Sequence, residues 1–168
     1  VTPVSMTGQS GGTAVMGEVP FPLLRPVEGF ISQGFDASRG HFGMDFAGKR
    51  GSLVSAAGEG RVVFAGWTYD DGNMLILSHT GGYLTVYKHN QALLATMQAA
   101  VKRGEPIALL GTSGTTSLGP HLHFEIRDEQ MNPVNPLLFP AFAEAITDSY
   151  APVFHQITFT PIEHRSTV

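Results

Sequence analysis

Gly119-Pro-His-Leu-His-Phe-Glu-Ile-Arg127 is the stretch whose reading decides the fold. In a strand, residues two apart point to the same face. His121, His123 and Glu125 therefore share one face, while Leu122, Phe124 and Ile126 can fill a core on the other. Gly119-Pro120 fixes the approach to this strand and leaves the backbone little freedom. Upstream, His41-Phe-Gly-Met-Asp-Phe46 repeats the arrangement. His41, Gly43 and Asp45 share a face, with Phe42, Met44 and Phe46 opposite. Two short strands thus each offer metal-type ligands on one side and a hydrophobic anchor on the other. Zinc accepts a mixed His/Asp set, and three protein ligands with an open fourth position form the catalytic pattern rather than the structural one. The pattern predicts a zinc hydrolase, and a side chain at Gly43 would point at the metal.

Outward from these two segments, the chain reads as many short strands. Gly29–Gly34, Arg61–Trp67, Met74–His79, Tyr83–His89 and Pro106–Leu110 are rich in β-branched and aromatic residues and are separated by turn residues. Gly81-Gly82 between two strong strands predicts a hairpin. A short helix is expected over Gln91–Ala100, with Leu93, Leu94 and Met97 on one side, and another over Pro140–Thr147. The expected fold class is all-β: an antiparallel β-sheet domain whose groove holds a zinc site, with few short helices. Residues 1–18 read as a flexible N-terminal arm, 19–147 as the domain with its motif core at 41–138, and 148–168 as a C-terminal extension with an added strand near His155–Thr160.

A length of 168 residues suits one domain with a proper core. A charged content of 14% beside 42% hydrophobic residues describes a compact globule rather than a disordered chain. The net charge of −4 gives no support to a nucleic-acid partner. With no cysteine, disulfides and thiolate metal sites are excluded. No stretch approaches the roughly 20 apolar residues of a membrane-spanning helix. The chain opens on Val1-Thr2, and the expectation is that an upstream segment, a signal peptide or membrane anchor among the options, has been removed. There is no Walker, dinucleotide or Gly-x-Ser-x-Gly pattern.

The run from His41 to Leu138 closely resembles the LytM/lysostaphin-type zinc metallopeptidases that cut peptidoglycan cross-bridges. The matching pieces are HFGMDF (41–46), Gly51-Ser-Leu-Val54, Asn73–His79, Gly81-Gly-Tyr-Leu-Thr-Val-Tyr-Lys-His89, Val101-Lys-Arg-Gly104, Gly111-Thr-Ser-Gly114, Gly119-Pro-His-Leu-His-Phe-Glu125 and Asn135-Pro-Leu137. The resemblance places the metal ligands on His41, Asp45 and His123, one zinc per chain, and the two catalytic histidines on His89 and His121. It implies a β-sheet groove with the metal on its floor, peptidoglycan peptide stems as partner, and an extracytoplasmic location in periplasm, envelope or medium. Two departures stand out. The Ser113–Leu118 segment is about one residue longer than the commonest family form. Gly40 precedes His41 with no tyrosine nearby, unlike lysostaphin and its closest relatives, which turns the expectation from glycine bridges towards D-alanyl–diamino-acid cross-links.

Zinc held by two imidazoles and one carboxylate keeps a charge near +1, which lowers the pKa of a bound water towards ~7. Histidine, with an ordinary pKa near ~6.5, suits the proton transfers of amide hydrolysis. On face alternation alone, Thr85, Tyr87 and His89 share one side, so a packing role for His89 competes with a catalytic one. Glu125 is equally compatible with orienting a neighbouring histidine and with a groove-edge position. His79 reads as a hydrogen-bonded turn residue, and His155 and His164 as structural. The competing function is a catalytically silent LytM-type regulator or binding module for a cell-wall amidase.

Overall fold

The computed structural model describes residues 23–146. In chain order the strands are β1 (Phe30–Gln33), β2 (Met44–Ala47), β3 (Leu53–Ser55), β4 (Gly60–Thr68), β5 (Gly72–Ser78), β6 (Leu84–Asn90), β7 (Ala92–Leu93), β8 (Ala100–Val101), β9 (Pro106–Leu109), β10 (His121–Arg127) and β11 (Pro133–Val134). One short helix, α1 (Pro140–Ala145), follows. The larger sheet runs β1-β2-β10-β6-β5-β4-β8, with β11 on β10, and the smaller runs β3-β9-β7. The strand pairings are antiparallel throughout. The fold class is therefore the expected all-β one. The 1–18 arm, the 148–168 extension and the strand expected near 155–160 lie outside the described residues.

The core sits beneath the larger sheet. Leu122, Phe124 and Ile126 of β10 are buried beside Met44 and Phe46 of β2, Tyr87 of β6, and Leu75 and Leu77 of β5. Phe124 is the hub of this layer. Its ring lies 5.4 Å from that of Tyr87, 6.5 Å from Phe46 and 5.4 Å from Phe142 of α1, the last stacked at 20°. Val54, Ile107 and Ala108 close the core from the smaller sheet. Burying side chains of this size stabilises by roughly 1.5–3 kcal/mol each, so β10 is anchored mainly by its apolar face.

Several local expectations change. Residues 91–100 do not form a helix. They make β7, a turn and β8, because Leu94 and Ala95 N–H both donate to the Ile107 carbonyl and Gln98 adopts φ 69°. Leu94 and Met97 are consequently half exposed rather than packed. The strand expected from His41 begins only at Met44. His41 lies before it in an isolated bridge with Asp36, and Phe42 turns outward, 39% exposed. The Gly81-Gly82 hairpin is present, and both glycines adopt φ 78°, a conformation that excludes most other residues.

His79, at the start of that turn, is buried. Its Nδ1 donates to the Glu59 carbonyl (2.7 Å) and Nε2 bonds Thr85 Oγ1 (2.6 Å). Burial pushes its pKa below the ordinary histidine value, against the opposing effect of the Glu59 bond. With the folded pKa depressed, the unfolded chain binds the proton more readily. The associated stability is present above pH ~6.5 and is lost as pH falls through the folded pKa. Urea midpoints measured near pH ~7.5 and pH ~5.5 should fall less in His79→Gln than in the native chain. Equal falls in both proteins would rule out His79 as a source of acid sensitivity.

Candidate metal centre

The β2–β10 register sets His123 directly opposite Asp45, with Leu122 against Phe46 and Phe124 against Met44. Asp45 Oδ1 then lies 2.7 Å from His123 Nδ1, 3.2 Å from His41 Nε2 and 3.9 Å from His121 Nε2. The ligand atoms of His41, Asp45 and His123 fall within 4.8 Å of one another, a group that could hold a metal ion. His41 is aimed from outside the sheet. Its backbone pairs with Asp36 in both directions (2.8 and 2.9 Å), and its Nδ1 donates to the Gly34 carbonyl at 2.6 Å. Nε2 is left buried without a hydrogen-bond partner. A buried nitrogen lone pair with no donor to satisfy it is costly unless a cation completes it. The residues present fit a zinc ion on that ground and on their donor chemistry.

His123 is fixed from its other side. Its Nε2 lies 3.1 Å from Glu125 Oε1, which leaves Nδ1 towards Asp45. Glu125 is buried, with Lys88 Nζ at 2.7 Å and Arg127 Nε and Nη2 both at 2.6 Å. Burial alone would raise its pKa. The His123 hydrogen bond and the Lys88 and Arg127 charges outweigh burial and bring it down to about 2. An ionised carboxylate behind a ligating imidazole fixes its orientation and raises its basicity. Asp45 shows the same balance: burial opposes ionisation, but the His123 hydrogen bond and the surrounding histidines hold the pKa below the ordinary value. A Cβ at Gly43 would meet His123 Nε2 at 2.7 Å and the Phe124 carbonyl at 2.6 Å. Gly43 thus makes room for the His123 ring, where the sequence suggested room for the metal itself.

His89 reaches the site through a β-bulge. Leu75 pairs with Tyr87 and Asn73 with Asn90, so Lys88 and His89 together oppose the single residue Met74. His89 has φ 64°. An unbroken strand would turn it into the core with Thr85 and Tyr87. The extra residue rotates it, and both Lys88 and His89 line the cavity. Its Nδ1 donates to the Ser113 carbonyl at 2.9 Å, and its ring lies 4.9 Å from that of His121. Burial lowers the His89 pKa, aided by His121 and His123 and opposed by the Ser113 bond, so the ring is neutral near pH 7. His121 is held alike, its Nδ1 donating to the Gly119 carbonyl at 2.9 Å. All five residues singled out in the sequence therefore border one cavity of about 300 Å³, beside Phe42, Thr116, Lys88 and Arg127. Its carboxylates, Asp45, Asp71 and Glu125, outnumber its cations, Lys88 and Arg127. Both cations are paired with Glu125, so the side chains leave the cavity net acidic. The parts that sequence reasoning missed are Lys88, whose Nζ bridges Glu125 and Asp71 (3.2 Å), and the carbonyls of Gly34, Ser113 and Gly119. Backbone acceptors carry no residue signature.

Residues 39–136, more than half of the chain, match the family model described as Peptidase family M23. Murein hydrolase activator NlpD of Salmonella dublin is 37% identical over 140 residues, covering 82% of this chain and 36% of that protein. Outer membrane antigenic lipoprotein B of Histophilus somni is 45% identical over 104 residues, covering 61% of this chain and 30% of the other. This chain thus spans about a third of the length of these curated relatives. A solved structure, a zinc containing peptidase from Vibrio cholerae, superposes with a TM-score of 0.65 at 34% identity, over 68% of this chain and 39% of that one.

A left-handed φ at a histidine costs of the order of 1 kcal/mol or more that glycine avoids. His89→Gly should therefore be more stable to urea than His89→Ala, reversing the usual order within a strand. His89→Ala emerging as the more stable variant would show that the bulge is unstrained. Glu125→Gln keeps shape but removes the charge behind His123, and zinc affinity by competition with a chelating dye should fall about 10–100-fold. An unchanged affinity would detach Glu125 from the ligand set.

Proposed function

The chain belongs to peptidase family M23, and from that premise we propose that it is a zinc-dependent endopeptidase acting on peptide cross-links of peptidoglycan outside the cytoplasm. The observation carrying this reading is the convergence of His41 Nε2, Asp45 Oδ1 and His123 Nδ1, with two further imidazoles beside them. His41, Asp45 and His123 would hold the ion. Zinc bound there supplies a Lewis acid and a water of lowered pKa. His89 and His121 do the proton work. Each has its Nδ1 proton committed to a backbone carbonyl, so Nε2 of the neutral ring is the basic nitrogen. One takes a proton from the attacking water at Nε2 and passes that same proton to the leaving amine, while the other, when its Nε2 carries a proton taken from solvent, donates a hydrogen bond to the oxyanion. The preferred bond is the D-alanyl–diamino-acid cross-link, because Gly40 stands where the glycine-bridge enzymes carry tyrosine.

The names of the curated relatives support a second reading better than this one: that the chain activates a murein hydrolase, an amidase being the candidate partner. The name of the Histophilus relative adds support for an envelope location. The complete donor set supports hydrolysis. The two readings part on one experiment. The native chain should bind one zinc by elemental analysis and convert dimeric muropeptides in purified sacculi to monomers. Asp45→Ala should lose both zinc and activity, while His121→Ala keeps the zinc and loses turnover. Native protein that holds zinc, leaves dimers intact and still accelerates stem release by an added amidase would overturn the peptidase reading in favour of the activator. Full zinc occupancy in Asp45→Ala would overturn the ligand set.

A further inference from the structure

The bulge that delivers His89 is held from outside its own strand, and one small residue makes most of the attachments. Ser113 N–H donates to the His89 carbonyl (3.3 Å), and the Ser113 carbonyl accepts from His89 Nδ1 (2.9 Å). Ser113 Oγ accepts from Asn73 N–H (2.9 Å) and donates to the Asn90 carbonyl (2.7 Å). Asn73 and Asn90 are the register partners that close the bulge on its far side. The hydroxyl therefore bridges the two strands at the point where the two-for-one count is set, while the same residue's main chain grips the displaced histidine. Space around it is closed. A Cβ at Gly72 would come 2.2 Å from Ser113 Oγ, and one at Gly114 would come 2.3 Å from the Asp70 carbonyl. Both glycines have positive φ, 67° and 88°. The β4–β5 turn and the segment after β9 meet here backbone to backbone, with Ser113 between them.

We propose that Ser113 is a positioning residue for His89: its hydroxyl pins the β6 bulge, and its carbonyl fixes the ring as the Nδ1–H tautomer with Nε2 presented to the cavity. The carbonyl can only accept, so it selects one tautomer. It can do so only while the hydroxyl holds the Ser113 main chain against Asn73 and Asn90. Removing the hydroxyl leaves the Asn73 N–H without its acceptor and frees the loop to move away from the ring. A reacting group misplaced by about 1 Å loses on the order of 100-fold in rate. Ser113 matters to turnover only if His89 works on the scissile bond, as proposed above. Its effect on the tautomer does not depend on that role.

The test uses the full chain, zinc-loaded and labelled with ¹⁵N-histidine, above pH ~7.5 so that the ordinary histidine population is neutral. Two-bond ¹⁵N–¹H correlation spectra should show native His89 as a single Nδ1–H species. Ser113→Ala should give a mixture of tautomers, and Ser113→Thr, which keeps the hydroxyl, should restore the single species. Ser113→Cys keeps the volume with a weaker donor and should fall between the two. On sacculi, Ser113→Ala should lose about 100-fold in kcat with KM within about twofold and zinc content unchanged. A pure Nδ1–H signal for His89 in both the Ala and Cys variants would overturn the proposal, whatever the activity. So would a Thr variant as mixed as the Ala one.

Discussion

Everything at the site depends on one antiparallel contact, the pairing of β2 with β10. Its polar face joins Asp45 to His123, and its buried face sets Leu122 against Phe46 and Phe124 against Met44. The two faces are not independent. A slip of one residue would turn His123 into the core and Phe124 into the groove, so the apolar layer enforces the register that the metal ligands need. Phe124 is braced by rings from β6, β2 and α1, which couples α1 to the strand that carries His123. Asp45 and His123 thereby stand on paired strands, while His41 comes from the isolated bridge that precedes β2.

Electrostatically, the centre is arranged to be incomplete without a cation. Each of the four histidines nearest Asp45 has one nitrogen committed: His41 to Gly34, His89 to Ser113, His121 to Gly119 and His123 to Glu125. His41 Nε2 and His123 Nδ1 both face Asp45 Oδ1, at 3.2 and 2.7 Å, the second as a hydrogen bond that a bound cation would replace, and His41 Nε2 has no hydrogen-bond partner. Glu125, sealed in by Lys88 and Arg127, stays ionised and holds His123 in place. Burying such a carboxylate is tolerable only because it is paired on both oxygens. Lys88 extends the same chain of contacts to Asp71, in the turn that also receives the His89 N–H.

The alternation of β2 and β10 was legible in the sequence because period-2 patterning translates directly into faces. The polar face and the core beneath it emerged together from that patterning, whereas the choice of His41, Asp45 and His123 over His121 as the ligand set came from the family resemblance. The hairpin at Gly81-Gly82 was legible for a similar reason, as its backbone needs those residues. The position of His89 was not. Regular alternation assigned it to the side of Tyr87, and only a bulge, an irregularity with no residue count of its own in the sequence, turned it outward. Residues 91–100 misled because Leu93, Leu94 and Met97 suit a helical face, whereas the nearby β9 edge claimed their backbone bonds. Glu125 was visible as a neighbour on the right face, but its burial comes from Lys88 and Arg127 closing over it, which is a matter of packing.

Asp45 of β2, His123 of β10 and His41, from the bridge that precedes β2, are held to bind one zinc ion, with the remaining histidines outside its coordination shell. X-ray absorption at the zinc edge of stoichiometrically loaded protein tests this directly. The expected shell is four-coordinate, with two imidazole nitrogens and two oxygens at about 2.0–2.2 Å. A shell requiring three or four imidazoles would place His121 or His89 on the metal, and a shell of water oxygens alone would show that the three residues do not form a zinc site.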